Sequence, residues 1–73
     1  MSSKLKLCSG NEAVKKFQKA GWTIGRQKGS HVMIVKSNFS YTLAIPQHKE
    51  LGLGILTKLL KQADISIDEF NAL

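Results

Sequence analysis

Residues 22–46 read WTIGRQKGSHVMIVKSNFSYTLAIP, and this stretch decides the fold. Segments rich in β-branched and aromatic residues alternate there with two short groups of turn formers. Strands are predicted over 22–26, 31–36 and 41–45. Lys28-Gly29-Ser30 joins the first two, with glycine supplying a backbone conformation that other residues avoid. Ser37-Asn38 joins the second to the third. Pro46 is expected to stop the third strand, because it has no N–H for a ladder. Two short connections imply an antiparallel meander. His31, Met33 and Val35 share one face of the second strand, and Val32 and Ile34 share the other. Both sets are apolar. One must pack on helices, and the other is partly covered or is a docking surface. The pattern leaves open which is which.

Helices flank the meander. Over 9–20, Ser9 and Glu12 are spaced as a capping box, and Ala13, Val14, Phe17 and Ala20 form one apolar stripe. Lys15, Lys16 and Lys19 are expected to face solvent, and Gly21 to end the helix through a left-handed residue. After a loop over 47–53, a second helix is predicted over 54–63. Leu53, Leu56, Leu60 and Ala63 form its stripe, widened by Ile55 and Leu59. Asp64 takes its left-handed exit. A last short helix starts at Ser66, with Glu69 completing a second capping box and Ile65 and Phe70 at the staple positions. The order α-β-β-β-α predicts an α+β fold. It is a two-layer sandwich of a three-stranded antiparallel sheet with helices on one face, a layout also used by double-stranded-RNA-binding domains. Layout alone assigns no function.

Length and composition set the bounds. Seventy-three residues are read as one domain spanning 1–73. A chain this short buries only about 60% of its unfolded surface. The longest unbroken apolar run is Val32-Met33-Ile34-Val35, against about 20 residues for a membrane span. The stretch before the first helix has no apolar run suited to a signal peptide. A lone Cys8 permits neither an internal disulfide nor a multi-cysteine zinc cluster, so a reducing cytoplasm is the expected compartment. Eleven Lys and Arg face five Asp and Glu, for a net charge of +6. The imbalance is uneven: residues 1–49 hold nine bases and one acid, and residues 50–73 hold two bases and four acids. Concentrated positive charge attracts polyanions.

Few residues can carry chemistry. Only His31 and His48 titrate near neutral pH when unperturbed. No carboxylate pair lies in the strand region, which argues against a glycosidase. Acids placed to hold magnesium are missing, and Gly52 and Gly54 lack the Lys-Ser/Thr of a phosphate loop. No cofactor or metal is expected. The informative run is Arg26-Gln27-Lys28-Gly29-Ser30-His31, where two cations, a turn glycine, a hydroxyl and an imidazole fall within six residues. A hairpin brings such groups to one end. RNA carries its own nucleophile, the ribose 2′-OH, so positioning and proton transfer suffice to cleave it. His31 is the candidate proton carrier, and Arg26, Lys28, Ser30 and Lys36 are candidate RNA contacts. His48 is a second acid/base, an RNA contact or a hydrogen-bonded loop residue.

The combination of Gly21-Trp22, Arg26-Gln27-Lys28-Gly29-Ser30-His31, Ile45-Pro46-Gln47-His48, Gly54-x-Leu56 and Leu60-Lys61-Gln62-Ala63 resembles the HicA toxin family of bacterial toxin–antitoxin systems. The resemblance spans about residues 9–70. Asp64 stands where the family usually has glycine, which touches only the helix exit. The resemblance implies a double-stranded-RNA-binding-like fold and a small mRNA interferase that cleaves RNA without metal. It also implies neutralisation by a HicB antitoxin, and it assigns the catalytic histidine of the Gly-Ser-His motif to His31. The expected chemistry is attack of the 2′-OH on its phosphodiester, leaving a cyclic phosphate and a 5′-OH. Two other readings remain: a non-catalytic RNA-binding module, and a protein-interaction domain that docks a partner on its open sheet face.

Overall fold

The computed structural model describes residues 4–73. The part of the N-terminal reading that concerns Met1, Ser2 and Ser3 lies outside them. The elements are α1 (Gly10–Lys19), β1 (Thr23–Lys28), β2 (His31–Val35), β3 (Leu43–Pro46), α2 (Leu53–Ala63) and α3 (Ile67–Ala72). The strands form one antiparallel sheet in the order β1-β2-β3. This is the α+β arrangement that the sequence predicts.

The register settles which sheet face is inside. Val32 pairs with Ile45 and Ile34 with Leu43. Residues paired across strands share a face, and all four are buried. They pack against Ala13, Val14 and Phe17 of α1, Leu56, Leu59, Leu60 and Ala63 of α2, and Phe70 of α3. The helices therefore cover one face. The other face carries His31, Met33, Val35 and Ala44, of which only Met33 is half-buried.

Several local expectations shift. β1 runs to Lys28 rather than stopping at 26, because Gln27 and Lys28 continue the ladder to the Gly29-Ser30 turn. β3 lies at Leu43–Pro46 rather than 41–45. Pro46 is the last paired residue, opposite His31, a position proline tolerates at the end of an edge strand. Lys16 is not a solvent lysine. Its Nζ lies 4.7 Å from the centre of the Phe70 ring and donates to the Phe70 carbonyl at 3.2 Å, clamping α3 to α1. On α2, Leu53 and Ile55 are 60% and 40% exposed. The buried stripe is Leu56, Leu59, Leu60 and Ala63, at the spacing of one helical face.

The helix ends follow their sequence signals closely. At α1 the Glu12 N–H donates to Ser9 Oγ at 3.1 Å, and that hydroxyl donates to the Glu12 carboxylate at 3.3 Å. The carboxylate thus serves the hydroxyl rather than the Ser9 N–H of a full capping box. The full box forms at α3, between Ser66 and Glu69. The exit of α1 is a Schellman motif: Trp22 N–H donates to the Phe17 carbonyl and Gly21 N–H to the Gln18 carbonyl. Trp22 and Phe17 also meet edge to face, with ring centres 6.3 Å apart. α2 ends the same way, with Asp64 at φ 58°, Ile65 N–H on the Leu60 carbonyl and Asp64 N–H on that of Lys61.

Two further contacts hold the layers together. Phe70, Phe17, Trp22, Phe39 and Tyr41 form a continuous chain of ring contacts from α3 to the segment before β3. Its far end is fixed by the Tyr41 hydroxyl, which donates to the Gln62 carbonyl of α2. Cys8 is buried at the entry to α1, and burial raises its thiol pKa above the ordinary value. It is an apolar packing residue, as expected from the sequence.

The start of α1 meets the end of β3 backbone to backbone. A Cβ on Gly10 would lie 2.0 Å from the Pro46 carbonyl oxygen and 2.8 Å from Gln47 Cα. Gly10 N–H donates to the His48 carbonyl at 3.0 Å, and Leu51 N–H to the Cys8 carbonyl at 2.8 Å. Neither backbone can yield as a flexible side chain would. Gly10→Ala is therefore expected to cost at least about 2 kcal/mol, roughly 10 °C in Tm for a domain of this size. An unchanged thermal midpoint would contradict this contact. In the opposite direction, Asp64→Gly removes the left-handed penalty and is expected to raise stability by up to about 1 kcal/mol, read as a higher urea midpoint.

Candidate nucleic-acid interface

The site is built on the β1–β2 hairpin. Gly29, at φ 59°, and Ser30 make its two-residue turn, and glycine there supplies a conformation costly to other residues. Gln27 Nε2 donates to the Gly29 carbonyl at 3.3 Å, bracing the turn from within. Ser30 is tied to the next strand, because its carbonyl accepts from Gln47 N–H at 2.7 Å. The turn is thus held against the end of β3.

A bulge decides where the cations point. Ile24 pairs with Ile34, but the next pair is Arg26 with Met33, so Gly25 is an extra residue in β1. In a regular ladder Gly25 would oppose Met33 and Arg26 would oppose Val32, on the helix side. The extra residue inverts the alternation beyond it. Arg26 now shares a face with Met33, and Lys28 shares a face with His31. Gln27, opposite the buried Val32, takes the helix side. A Cβ at Gly25 would make only ordinary contacts, 3.5 Å to the Met33 carbonyl and 3.6 Å to Val35 Cγ1. The bulge therefore arises from the count of residues rather than from a clash at glycine.

His31 lies in the middle of this arrangement. It pairs with Lys28 on one side and Pro46 on the other, and it is exposed on the open face. Arg26, Lys28 and Ser30 are exposed as well. The ladder positions of this face are Thr23, Arg26, Lys28, His31, Met33, Val35, Ala44 and Pro46 by register, and none is acidic. Its end is therefore cationic, with an imidazole at the centre. Such an arrangement has the groups needed to bind an anion and to move a proton beside it. Among the described residues, no group of three His, Cys, Asp or Glu side chains is placed to hold a metal ion.

Two sequence candidates lie elsewhere. Lys36 follows the opposite end of β2 from His31 and alternates to the helix side. It is half-buried, with its Nζ 5.6 Å from the centre of the Phe39 ring. The structure does not bring it to the Arg26, Lys28 and His31 cluster. His48 is exposed in the loop after β3, and its carbonyl accepts from Gly10 N–H. Its ring is not among the groups lining the space beside His31. Lys58 of α2 is among them, although no expectation was attached to it from the sequence. Its signal was the set Ile55, Lys58, Leu59 and Gln62, spaced as one face of a helix.

The family model described as HicA toxin of bacterial toxin–antitoxin matches residues 10–65. The chain belongs to the HicA toxin family. No curated protein and no solved structure matches it significantly. The matched span covers every element from α1 through α2, and hence the whole basic hairpin. As a HicA family member, the chain is a toxin of a toxin–antitoxin system, with a cognate antitoxin as its partner. Among the described residues, no helix is long and apolar enough to cross a membrane.

The bulge gives a direct prediction. Deleting Gly25 is expected to remove the bulge and leave a regular ladder, with Ile24 opposite Ile34, Arg26 still opposite Met33 and Gln27 still opposite Val32. Cross-strand nuclear Overhauser contacts measure this register. Loss of the Arg26–Met33 pairing in the deletion variant would show that Gly25 is not the extra residue.

Proposed function

We propose that this HicA family toxin is an endoribonuclease that cleaves mRNA without a metal, with His31 as its proton carrier. The reading is carried by one observation: an exposed imidazole lies on an acid-free sheet face between the cationic strand β1 and the end of β3. The ring takes the proton from the ribose 2′-OH as its oxygen attacks the adjacent phosphorus. The bond to the 5′ oxygen breaks, and that oxygen leaves protonated. The products are a 2′,3′-cyclic phosphate and a 5′-OH. A single imidazole serves as base and then as acid when both oxygens pass within its reach.

Arg26 and Lys28 hold the phosphoryl oxygens, where negative charge grows in the transition state. Ser30, in the turn next to His31, adds a hydroxyl and a backbone approach. Lys36 is left out of this site because of its place at the other end of β2. His48 contributes its carbonyl to the anchoring of the loop after β3. The antitoxin is of the HicB type, and it neutralises the toxin by covering the open face that carries His31.

His31 is exposed, so its substitution is expected to change stability by no more than about 0.5 kcal/mol. Folding and chemistry are therefore separable. His31→Ala is expected to slow RNA cleavage in EDTA by at least about 100-fold, with little loss of RNA affinity. Wild-type protein is expected to cut equally well with and without EDTA. Equal cleavage by the variant, or loss of wild-type cleavage on chelation, overturns the mechanism. RNA binding by both proteins with cleavage by neither supports the binding-module reading instead.

A further inference from the structure

We infer that the cleft between β3 and α2, beside His31, is a subsite for one unpaired nucleotide of the substrate strand, with Lys58 binding its phosphate. This rests on the ribonuclease reading, and it extends the substrate path beyond the hairpin. The cleft has a volume of about 340 Å³, at the small end of the range for bound small molecules. It suits a single splayed nucleotide rather than a base pair.

The two walls come from different layers of the fold. Thr42, Ala44 and Pro46 alternate along β3 and share the His31 face, since Pro46 pairs with His31 and Ala44 with Met33. Opposite them stands the α2 stripe of Ile55, Lys58, Leu59 and Gln62. Leu59 is buried and forms the apolar floor. Lys58 is one helical turn from both Ile55 and Gln62, so its ammonium is central to the wall. The Gln62 carbonyl accepts from the Tyr41 hydroxyl, which fixes the end of the cleft away from His31.

The lining has the character of a nucleotide site. Pro46, Ala44, Ile55 and Leu59 offer apolar surface to a base, while Thr42 and Gln62 offer hydrogen-bonding groups to its edge. No carboxylate lines the cleft, and its two ionisable residues are His31 and Lys58. Single-stranded RNA is bound in this manner, through splayed bases on apolar surfaces and phosphates on cations. Arg26 and Lys28 approach His31 from β1, and Lys58 approaches it from α2. The strand thus runs across the sheet end, with the scissile phosphate at the imidazole and the next nucleotide in the cleft.

Equilibrium binding to a fully 2′-O-methylated, unstructured RNA tests this without cleavage, because the attacking hydroxyl is blocked. Lys58→Ala is expected to weaken binding about tenfold near 0.1 M salt. It is also expected to reduce the slope of log Kd against log salt by about 0.7, the value for one phosphate contact on a single strand. Lys58→Arg is expected to restore both. Lys61→Ala, on the same helix but outside the cleft, is expected to behave as wild type. The same strand annealed to its complement is expected to bind wild type and Lys58→Ala alike. The inference is overturned if Lys58→Ala binds as wild type, if Lys61→Ala loses as much, or if Lys58→Ala weakens only antitoxin binding. Parallel cleavage assays of His31→Ala on unmodified RNA separate the two ideas. A wild type that cleaves no RNA defeats the ribonuclease reading, and an active His31→Ala defeats only the role of His31 in it. An inactive one, with an unaltered Lys58→Ala, defeats only the subsite.

Discussion

The structure depends on the approach of two backbones, where the first turn of α1 at Gly10 rests on the Pro46–His48 segment. No side chain separates them, and the space leaves no room for one. The contact fixes the distance between the helix layer and the end of β3. Through the Gly10–His48 and Leu51–Cys8 hydrogen bonds it also closes the loop after β3 onto the start of α1. Because Pro46 pairs with His31 and Gln47 bonds to Ser30, the hairpin turn is carried along. The imidazole is thus presented from a place held by backbone bonds on both sides, although its own ring is exposed.

The second constraint is one residue long. Were Gly25 paired in a regular ladder rather than bulged out, Arg26 would face the helices from an edge strand, and its charge would oppose the apolar Val32. With the bulge, both cations of β1 join the face of His31. The strand pays no packing penalty for the inversion, since β1 is exposed along its whole length. An edge strand covered on neither face tolerates a change of register that a central strand would resist. Basic side chains on such an edge also discourage pairing with other strands.

Much of the fold was legible because its signals are local. Ser66 and Glu69, Gly21 and Asp64 mark helix ends by the chemistry of orphan backbone groups, and the structure uses them as such. Gly29-Ser30 marks the hairpin for the same reason. The choice of buried face on β2 was harder, since both alternations are apolar. β3 carried the missing information: Leu43 and Ile45 alternate with Thr42 and Ala44, and their pairing with Ile34 and Val32 names the inner face. The apolar stripe of α2 is broader in sequence than the buried one, because Leu53 and Ile55 lie exposed beside the buried Leu56, Leu59, Leu60 and Ala63. The docking of Lys16 is not legible locally, because its partner, Phe70, lies 54 residues away.

For the site, the sequence by itself determined the cast: a hairpin dense in cations that ends in Gly-Ser-His, a pattern matched by a family of toxins. Residue types and short spacings carry that information, and they act over one turn. The tertiary structure alone decided the company each residue keeps. It set Arg26 and Lys28 beside His31 through a bulge, laid Lys36 against the Phe39 ring, and brought Lys58 in from a helix that follows β3. Those outcomes depend on strand register and on how helices lie across a sheet. Both are fixed by packing between segments distant in the chain, where the side chains of one segment hold no record of their neighbours in the other.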